Sequence, residues 1–398
     1  STIIRLLLKE LEPTAGRIIV GGRDLQDAAD WVARTYHPEW QVARALRAGI
    51  GIHHGRLPRA LGHHLVRLFN EGRLPYLLVT STLIEGVNTT ARNVVVLDNQ
   101  IARKKYDYFT FANIRGRSGR MLRHYVGRVV VFNPEPSRLD LTVDVPVLTQ
   151  SPAVTDEVLL QIPDDELTET SRQRLQPYVD QDLVRLQTLR DNTGIPPGRQ
   201  LQAAQLLADQ PARWAGALRW SGAFPTAPQV QQLGELLFTL TGSSGTVRTP
   251  RQLGALVNML RYHRGDVKAL IADNVARGTD PDTAVEDVLD FARSWAQFKI
   301  PTALVTAGAL AEDVLGDRAG SDPRVFAGAL ENMFLPPYAT VLEEYGLPAP
   351  LAVKLSRELD LGGANSLDDV LARLRRLAPP VGLEPFEREM LRDTQASL

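Results

Sequence analysis

Short apolar runs alternate with amphipathic segments through the first third of the chain. The apolar runs predict strands at residues 16–20, 50–54, 76–80, 94–97 and 127–132, and helical spacing predicts helices at 24–36 and 58–70. Pro58 suits the first position of the second helix, where a missing N–H loses no helical partner. Strands that alternate with helices predict an α/β domain with a parallel sheet, and ligands of such sheets collect at the carboxyl ends of the strands.

The pattern changes at about Asn133. Prolines then mark a connector at positions 134, 136, 146, 152 and 163, and helical spacing dominates the remainder. Two helical faces stand out, one formed by Val285, Val288, Leu289, Ala292, Trp295 and Phe298 and the other by Leu253, Leu256, Val257 and Leu260. We predict an all-helical C-terminal region with a break near residues 241–249, and three domains at 1–135, 136–245 and 246–398.

Charge is distributed unevenly along the chain, although the net charge is only -1. Residues 1–150 contain 21 Lys and Arg against 13 Asp and Glu, whereas the remainder contains 24 against 33. A basic front third is typical of a domain that neutralises nucleic-acid phosphates. The absence of cysteine excludes disulfides and cysteine-ligated metal centres. No run of 18 apolar residues predicts a membrane span, and we expect a cytoplasmic protein.

The run Asn-Ile-Arg-Gly-Arg-Ser-Gly-Arg at residues 113–120 is the most informative motif of the chain. Arg117 and Arg120 are three positions apart, each preceded by a glycine that lets the backbone approach a bound group. A guanidinium is always charged and matches the geometry of phosphate oxygens. Such a pair can neutralise charge that develops on a transferred phosphoryl group.

Two further blocks precede this motif. The predicted strand at 76–80 is followed by the hydroxyl-rich loop 80–88, which contains Glu85 and Gly86 and is the usual place for a phosphate or ribose contact. The earlier block, residues 50–59, reads Ile-Gly-Ile-His-His-Gly-Arg-Leu-Pro-Arg. Together the three blocks resemble motifs IV, V and VI in the second RecA-like domain of superfamily-2 helicases, specifically the DExH, Ski2-like branch. The resemblance covers roughly residues 1–135, and Asn113 stands where that family usually has Gln.

The resemblance implies a RecA-like fold and a role for each matched residue. Arg117 and Arg120 would be catalytic arginine fingers that reach the γ-phosphate of ATP. Glu85, Gly86 and Gly116 would lie beside the nucleotide.

The same resemblance implies a strand-binding surface. Gly55, Arg56 and Thr82 would contact the backbone of a single-stranded or duplex nucleic acid, with DNA favoured over RNA. Related bacterial helicases with long helical tails occur in DNA repair and in phage defence beside a nuclease, which is a further expected partner.

A complete motor of this class also needs a first RecA-like domain, whose phosphate loop ends in Gly-Lys-Ser or Gly-Lys-Thr. None of the six lysines of this sequence follows a glycine. We therefore expect ATP with Mg to be bound mainly by a first RecA-like domain, in cis or as a separate subunit, and expect this chain alone to be inactive. The alternative is a freestanding adaptor, derived from a helicase, that binds nucleic acid or protein without hydrolysis.

Other features have ordinary and functional interpretations. His53, His54, His63 and His64 form a cluster, but adjacent strand histidines point to opposite faces, which argues against a metal site. Trp214, Trp220 and Trp295 could stack on bases or lie in the core. Lys104 and Lys105 follow Arg103 and fit a solvated loop or a phosphate contact. Two helices around Gly362 and Gly363, the second capped by Ser366, loosely resemble a duplex-gripping hairpin or are ordinary helical packing.

Overall fold

The computed structural model describes residues 25–80, 89, 91–101, 104–118, 126–138 and 145–398. The predicted strand at 16–20 and the block 81–88 lie outside the described residues. The chain divides into two compact units. The first contains residues 1–141, 271–286 and 336–398, and the second contains residues 142–270 and 287–335. This grouping does not follow the three predicted segments, because residues 246–398 are divided between both units.

The first part of unit 1 contains two helices followed by a parallel strand pair. Helices α1 (Gln26–Thr35) and α2 (Gln41–Arg47) precede β1 (Ile50–His53), α3 (Arg59–Asn70) and β2 (Tyr76–Val79). Strand β1 pairs in parallel with β2, with Ile50 opposite Tyr76. The predictions for these two strands and for helix 58–70 are confirmed to within a residue. Pro58 is extended, with ψ 133, and so precedes the helix rather than opening it.

The next part of unit 1 contains four short strands and one helix. These are β3 (Asn93–Val96), β4 (Gln100–Ile101), β5 (Lys104–Lys105), α4 (Tyr108–Arg115) and β6 (Arg128–Val131). Strand β3 pairs in parallel with β6, and β4 pairs antiparallel with β5. The described strands therefore form three separate pairs, of which two are parallel as predicted. A single continuous sheet is not seen among the described residues.

The C-terminal part of unit 1 packs against its first helices. It contains the 3₁₀ turn Val341–Tyr345 and helices Ala349–Lys354, Leu367–Arg376 and Pro385–Ser397. In the last of these, Phe386 and Met390 are buried, and the ring of Phe386 meets that of Trp31 edge to face. The side chain of Ser366 accepts a hydrogen bond from the N–H of Asp369, which confirms the predicted cap.

The regular elements among the described residues of unit 2 are helices, apart from a small bridge between Ser244 and Val247. Its longer helices are Glu169–Val179, Pro197–Asp209, Pro211–Leu218, Ala227–Thr241, Pro250–Tyr262, Ile300–Leu315 and Arg324–Glu331. The loop 242–249 coincides with the predicted break. Two glycines allow the helices on either side of it to pack closely. A Cβ on Gly234 would lie 2.6 Å from the carbonyl oxygen of Pro250 and 3.1 Å from the nitrogen of Gly254.

The predicted helix 281–299 is present but changes its hydrogen bonding midway. Residues Pro281–Asp290 form an α-helix and Phe291–Lys299 a π-helix. Five predicted face residues are buried: Val285, Val288, Leu289, Ala292 and Trp295. Phe298 is 61% exposed, so its predicted place on this face is wrong. The i→i+5 hydrogen bonds of a π-helix widen the turn, and a residue three positions after Trp295 no longer shares its face.

Candidate nucleotide and nucleic-acid interface

The turn after strand β1 carries two of the predicted strand contacts, Gly55 and Arg56. The carbonyl of His54 accepts the N–H of Leu57 at 3.1 Å, and Nδ1 of His54 accepts the N–H of Arg56 at 3.3 Å. Leu57 is buried and anchors the chain at the start of α3, whereas the side chain of Arg56 is 51% exposed. The turn therefore presents a guanidinium toward solvent at the carboxyl end of a parallel strand.

Glu286 lies against this turn. Its Oε1 accepts the indole N–H of Trp40 at 3.0 Å and lies 3.3 Å from Nε2 of His54, and its Oε2 lies 3.8 Å from the guanidinium of Arg56. Burial raises the pKa of the Glu286 carboxyl, but the hydrogen bonds from His54 and Trp40 and the charge of Arg56 outweigh it and hold that pKa below its ordinary value. Glu286 is therefore a fixed carboxylate beside the turn.

The other predicted site lies at the end of α4. Asp107 caps the helix by accepting the N–H of Thr110 at 2.8 Å, and Gly116 ends it in a right-handed conformation. The N–H of Arg117 then bonds the carbonyl of Ile114 at 3.1 Å. Ser118 forms a parallel bridge with Ala91, just before β3. Arg117 is half-buried and lies between the end of α4 and this bridge.

The remaining predicted site residues are outside the described part of the chain: Thr82, Glu85, Gly86 and Arg120. The structure places Gly55, Arg56, Gly116 and Arg117. It brings Gly55 and Arg56 together in one turn, and Gly116 and Arg117 together at one helix end.

Comparison with known proteins relates the chain to helicases. It is 28% identical over 386 residues to anti-bacteriophage protein B of Escherichia coli, an alignment that covers 87% of this chain and 50% of that protein. It is 30% identical over 128 residues to the RQC trigger complex helicase SLH1 of Saccharomyces cerevisiae, and 27% identical over 121 residues to the ATP-dependent DNA helicase Hel308 of Pyrococcus horikoshii. No protein-family model matches.

These similarities support a helicase-related family. Each of the two helicase alignments covers 29% of this chain, and they cover 6% and 17% of the helicases themselves. The chain thus spans half the length of the first relative and a smaller part of the other two. The relationship supports a helicase-related function.

Several basic residues of the front part are paired with acids of the C-terminal part of unit 1. Ion pairs join Arg34 to Glu384, Arg59 to Glu344, Arg67 to Asp393 and Arg73 to Glu389. The charge surplus of the first 150 residues is therefore partly offset within unit 1. It is weaker support for nucleic-acid binding than the sequence suggested, whereas Arg56 stays a candidate contact.

The four clustered histidines have separate environments. His54 contacts Glu286, and His63 lies exposed on α3. His64 is buried, with Nε2 2.9 Å from the carbonyl oxygen of Gly346 and Nδ1 3.4 Å from Asp393. Burial lowers the pKa of His64 to about 4, and the charge of Arg67 adds to this against the opposing hydrogen bond to Gly346. Within the described residues, no group of three or more His, Asp or Glu is placed to hold a metal ion.

The structure decides between the two interpretations for some of the tryptophan and lysine candidates. Trp214 and Trp295 are fully buried, so the base-stacking interpretation is wrong for both and they are core residues. Trp220 is half-buried, and its backbone N–H donates to the hydroxyl of Ser321. Lys104 and Lys105 form a short exposed strand rather than a loop. Arg103 lies outside the described residues.

Sequence reasoning missed Glu286 and Trp40 as parts of the site. Glu286 and Asp282 are one turn apart on the same helix, and the Asp282 carboxylate accepts the N–H of Gln41 at 2.8 Å. Two acids at this spacing on a helix with an apolar opposite face usually indicate solvent exposure. Nothing in the pattern links them to His54.

Among the described residues, no helix is long and apolar enough to cross a membrane.

Proposed function

We propose that this chain is the rear part of an ATP-dependent nucleic-acid helicase or translocase, with residues 1–135 as its second RecA-like domain. The observation that carries the proposal is the place of Arg117, directly after a helix end and beside the bridge between Ser118 and Ala91. The parallel pairing of β1 with β2 and of β3 with β6 supports it. The alignments with two helicases support it independently.

Arg117 and Arg120 act as arginine fingers in this proposal. A guanidinium at the edge of the domain stabilises the charge that develops on the γ-phosphate as the two RecA-like domains close. Gly116 is exposed at the helix end, where a side chain would restrict the approach of a nucleotide. Glu85 and Gly86 complete the nucleotide contacts.

ATP with Mg supplies the phosphoryl group and the metal charge when it is bound. The residues of this chain fit only part of an ATP site. They include the guanidinium of Arg117, but the sequence has no lysine after a glycine, and the described residues contain no cluster of acids placed for a metal ion. The phosphate loop and the metal ligands therefore belong to a first RecA-like domain, in cis or as a separate subunit.

Strand contacts come from Gly55, Arg56 and Thr82. The exposed Arg56 guanidinium binds phosphate, and DNA is the favoured strand because one relative is a DNA helicase. The similarity to an anti-bacteriophage protein supports a role in phage defence. We propose a cytoplasmic location, and a nuclease as a partner of the helical region.

Substitution of Arg117 by Ala in the complete enzyme tests the arginine finger. We expect kcat for ATP to fall about a thousandfold, as for other arginine fingers, while nucleotide affinity changes little. Arg115→Ala is the matched control, because Arg115 is exposed two residues earlier and donates to the hydroxyl of Tyr108. Full turnover in Arg117→Ala would overturn the assignment. If the complete protein hydrolyses no ATP at all, the adaptor alternative replaces the proposal.

A further inference from the structure

The carboxylate of Glu286 is held in place by a hydrogen bond from the buried indole of Trp40. Trp40 is fully buried, and its indole N–H donates to Oε1 of Glu286 at 3.0 Å. An indole has no other donor and little freedom in a packed core, so the position of this oxygen is determined by the core. The same oxygen lies 3.3 Å from Nε2 of His54.

The imidazole of His54 passes this constraint to the turn. Its Nδ1 accepts the backbone N–H of Arg56 at 3.3 Å, so a neutral ring carries its proton on Nε2 and donates it to Glu286. Trp40, Glu286, His54 and Arg56 therefore form one continuous series of hydrogen bonds. The series begins in the core and ends at the backbone of the residue that bears the exposed guanidinium.

The Arg56 side chain lies beside Glu286. The distance of 3.8 Å from Oε2 of Glu286 to its guanidinium exceeds hydrogen-bond length, and 51% of the side chain is exposed. An ion pair of this exposure contributes little and is screened by salt. The stronger influence of Glu286 on Arg56 runs through the imidazole and the backbone.

We infer that Glu286 is a positioning residue for the contact between Arg56 and a nucleic-acid phosphate. It orients His54, which holds the turn 54–56 in the conformation that presents the guanidinium to the strand. The inference rests on the proposed function, since it requires Arg56 to contact a strand. It assigns a role in strand binding to residue 286, which lies far from the motif in the sequence.

Binding of a fluorescently labelled oligo-dT strand to Glu286→Ala, Glu286→Gln and wild-type protein tests this inference. Glu286→Ala removes the acceptor, and we expect Kd to rise several-fold. The slope of the logarithm of the binding constant against the logarithm of the salt concentration should decrease in magnitude by about 0.7, which is the contribution of one single-strand phosphate. Glu286→Gln keeps an amide oxygen that accepts from Trp40 and His54, and should bind within about twofold of wild type. Combining Glu286→Ala with Arg56→Ala should weaken binding no further than Arg56→Ala alone, because both act on one contact.

Asp282→Ala is the matched control. Asp282 is one turn earlier on the same helix, and its carboxylate accepts the backbone N–H of Gln41 rather than the imidazole of His54 that Glu286 contacts. We expect it to lower stability and leave Kd unchanged. If Glu286→Ala does not fold, His54→Ala removes both imidazole bonds while leaving Glu286 on Trp40, and is expected to reproduce the loss of affinity.

Three outcomes overturn the inference. Equal effects of Asp282→Ala and Glu286→Ala would mean that Glu286 only stabilises the helix. Tighter binding by Glu286→Gln would mean that the carboxylate competes with phosphate. Normal binding by Glu286→Ala or, where that variant does not fold, by His54→Ala, together with weakened binding by Arg56→Ala, would remove the inference but leave the proposed function intact. Normal binding by Arg56→Ala would instead remove the strand contact itself.

Discussion

The indole N–H of Trp40 donates to the carboxylate of Glu286 at 3.0 Å, and Trp40 is fully buried. A hydrogen bond to a charged group is worth more than one between neutral groups. This bond joins the N-cap residue of α2 to residue 286 within unit 1. It therefore contributes to stability as well as to the position of the His54 turn.

Trp40→Phe should lower the free energy of unfolding by about 1–3 kcal/mol, because it removes the donor to a largely buried carboxylate and leaves most of the ring volume. Urea titration followed by circular dichroism measures the change. Trp31→Phe is the control: its N–H donates to Glu387 at 3.3 Å, but Glu387 also accepts from Lys354 and from the backbone of Glu384. We expect the smaller loss there. No loss in Trp40→Phe would show that the Glu286 bond has no net value.

Stability should fall as pH decreases from about 6.5 to about 4, in part because of His64. The pKa of His64 is lowered to about 4 in the folded protein by burial. In this pH range the unfolded chain binds the proton more readily than the folded chain, so protonation favours unfolding. The contribution is present in full above the unfolded pKa and is lost as the pH falls toward the folded value.

His64→Gln tests this prediction, because the glutamine amide can still donate to the carbonyl of Gly346. Its urea midpoint of unfolding should change less between pH 7 and pH 4 than that of wild type, because this range spans the pKa of His64 in the unfolded and in the folded chain. An identical pH dependence in His64→Gln and wild type would contradict the account.

Arg73→Ala should leave strand binding almost unchanged, in contrast to Arg56→Ala. Arg73 forms an ion pair with Glu389 on the C-terminal helix Pro385–Ser397. We expect a stability loss of up to about 1 kcal/mol, as for other partly exposed pairs, and the same Kd for oligo-dT within about twofold. Fluorescence anisotropy at fixed salt measures the Kd. A loss of affinity as large as that of Arg56→Ala would place Arg73 on the strand.

Four strands of the front part, together with helices α1 and α3, could be predicted from local pattern. Residues 50–53, 76–79, 93–96 and 128–131 are short β-branched or apolar runs between turn residues, and such runs are distinctive. Helix α4 was not predicted, because Phe111 is its only buried residue and it lacks a clear apolar face. Phe298 was misplaced because a change from α- to π-helical bonding leaves no periodic signal in advance.

Candidate site residues could be proposed from the sequence only where they are contiguous. Two contiguous motifs indicate phosphate contacts by their residue types, one with Gly55 and Arg56 and the other with Gly116 and Arg117. Glu286 reaches the same turn through tertiary packing, and an acid on a helix surface has no sequence feature that identifies its partner. The charge surplus of residues 1–150 could be counted from the sequence, but its partial offset could not, because Arg67 pairs with Asp393 on the last helix through tertiary packing.

The most direct test of the central proposal is ATP hydrolysis by the complete natural protein that contains this chain, measured with and without single-stranded DNA. The account predicts turnover that rises severalfold when the strand is added. It would be contradicted by a protein that binds the strand but hydrolyses no ATP in its presence.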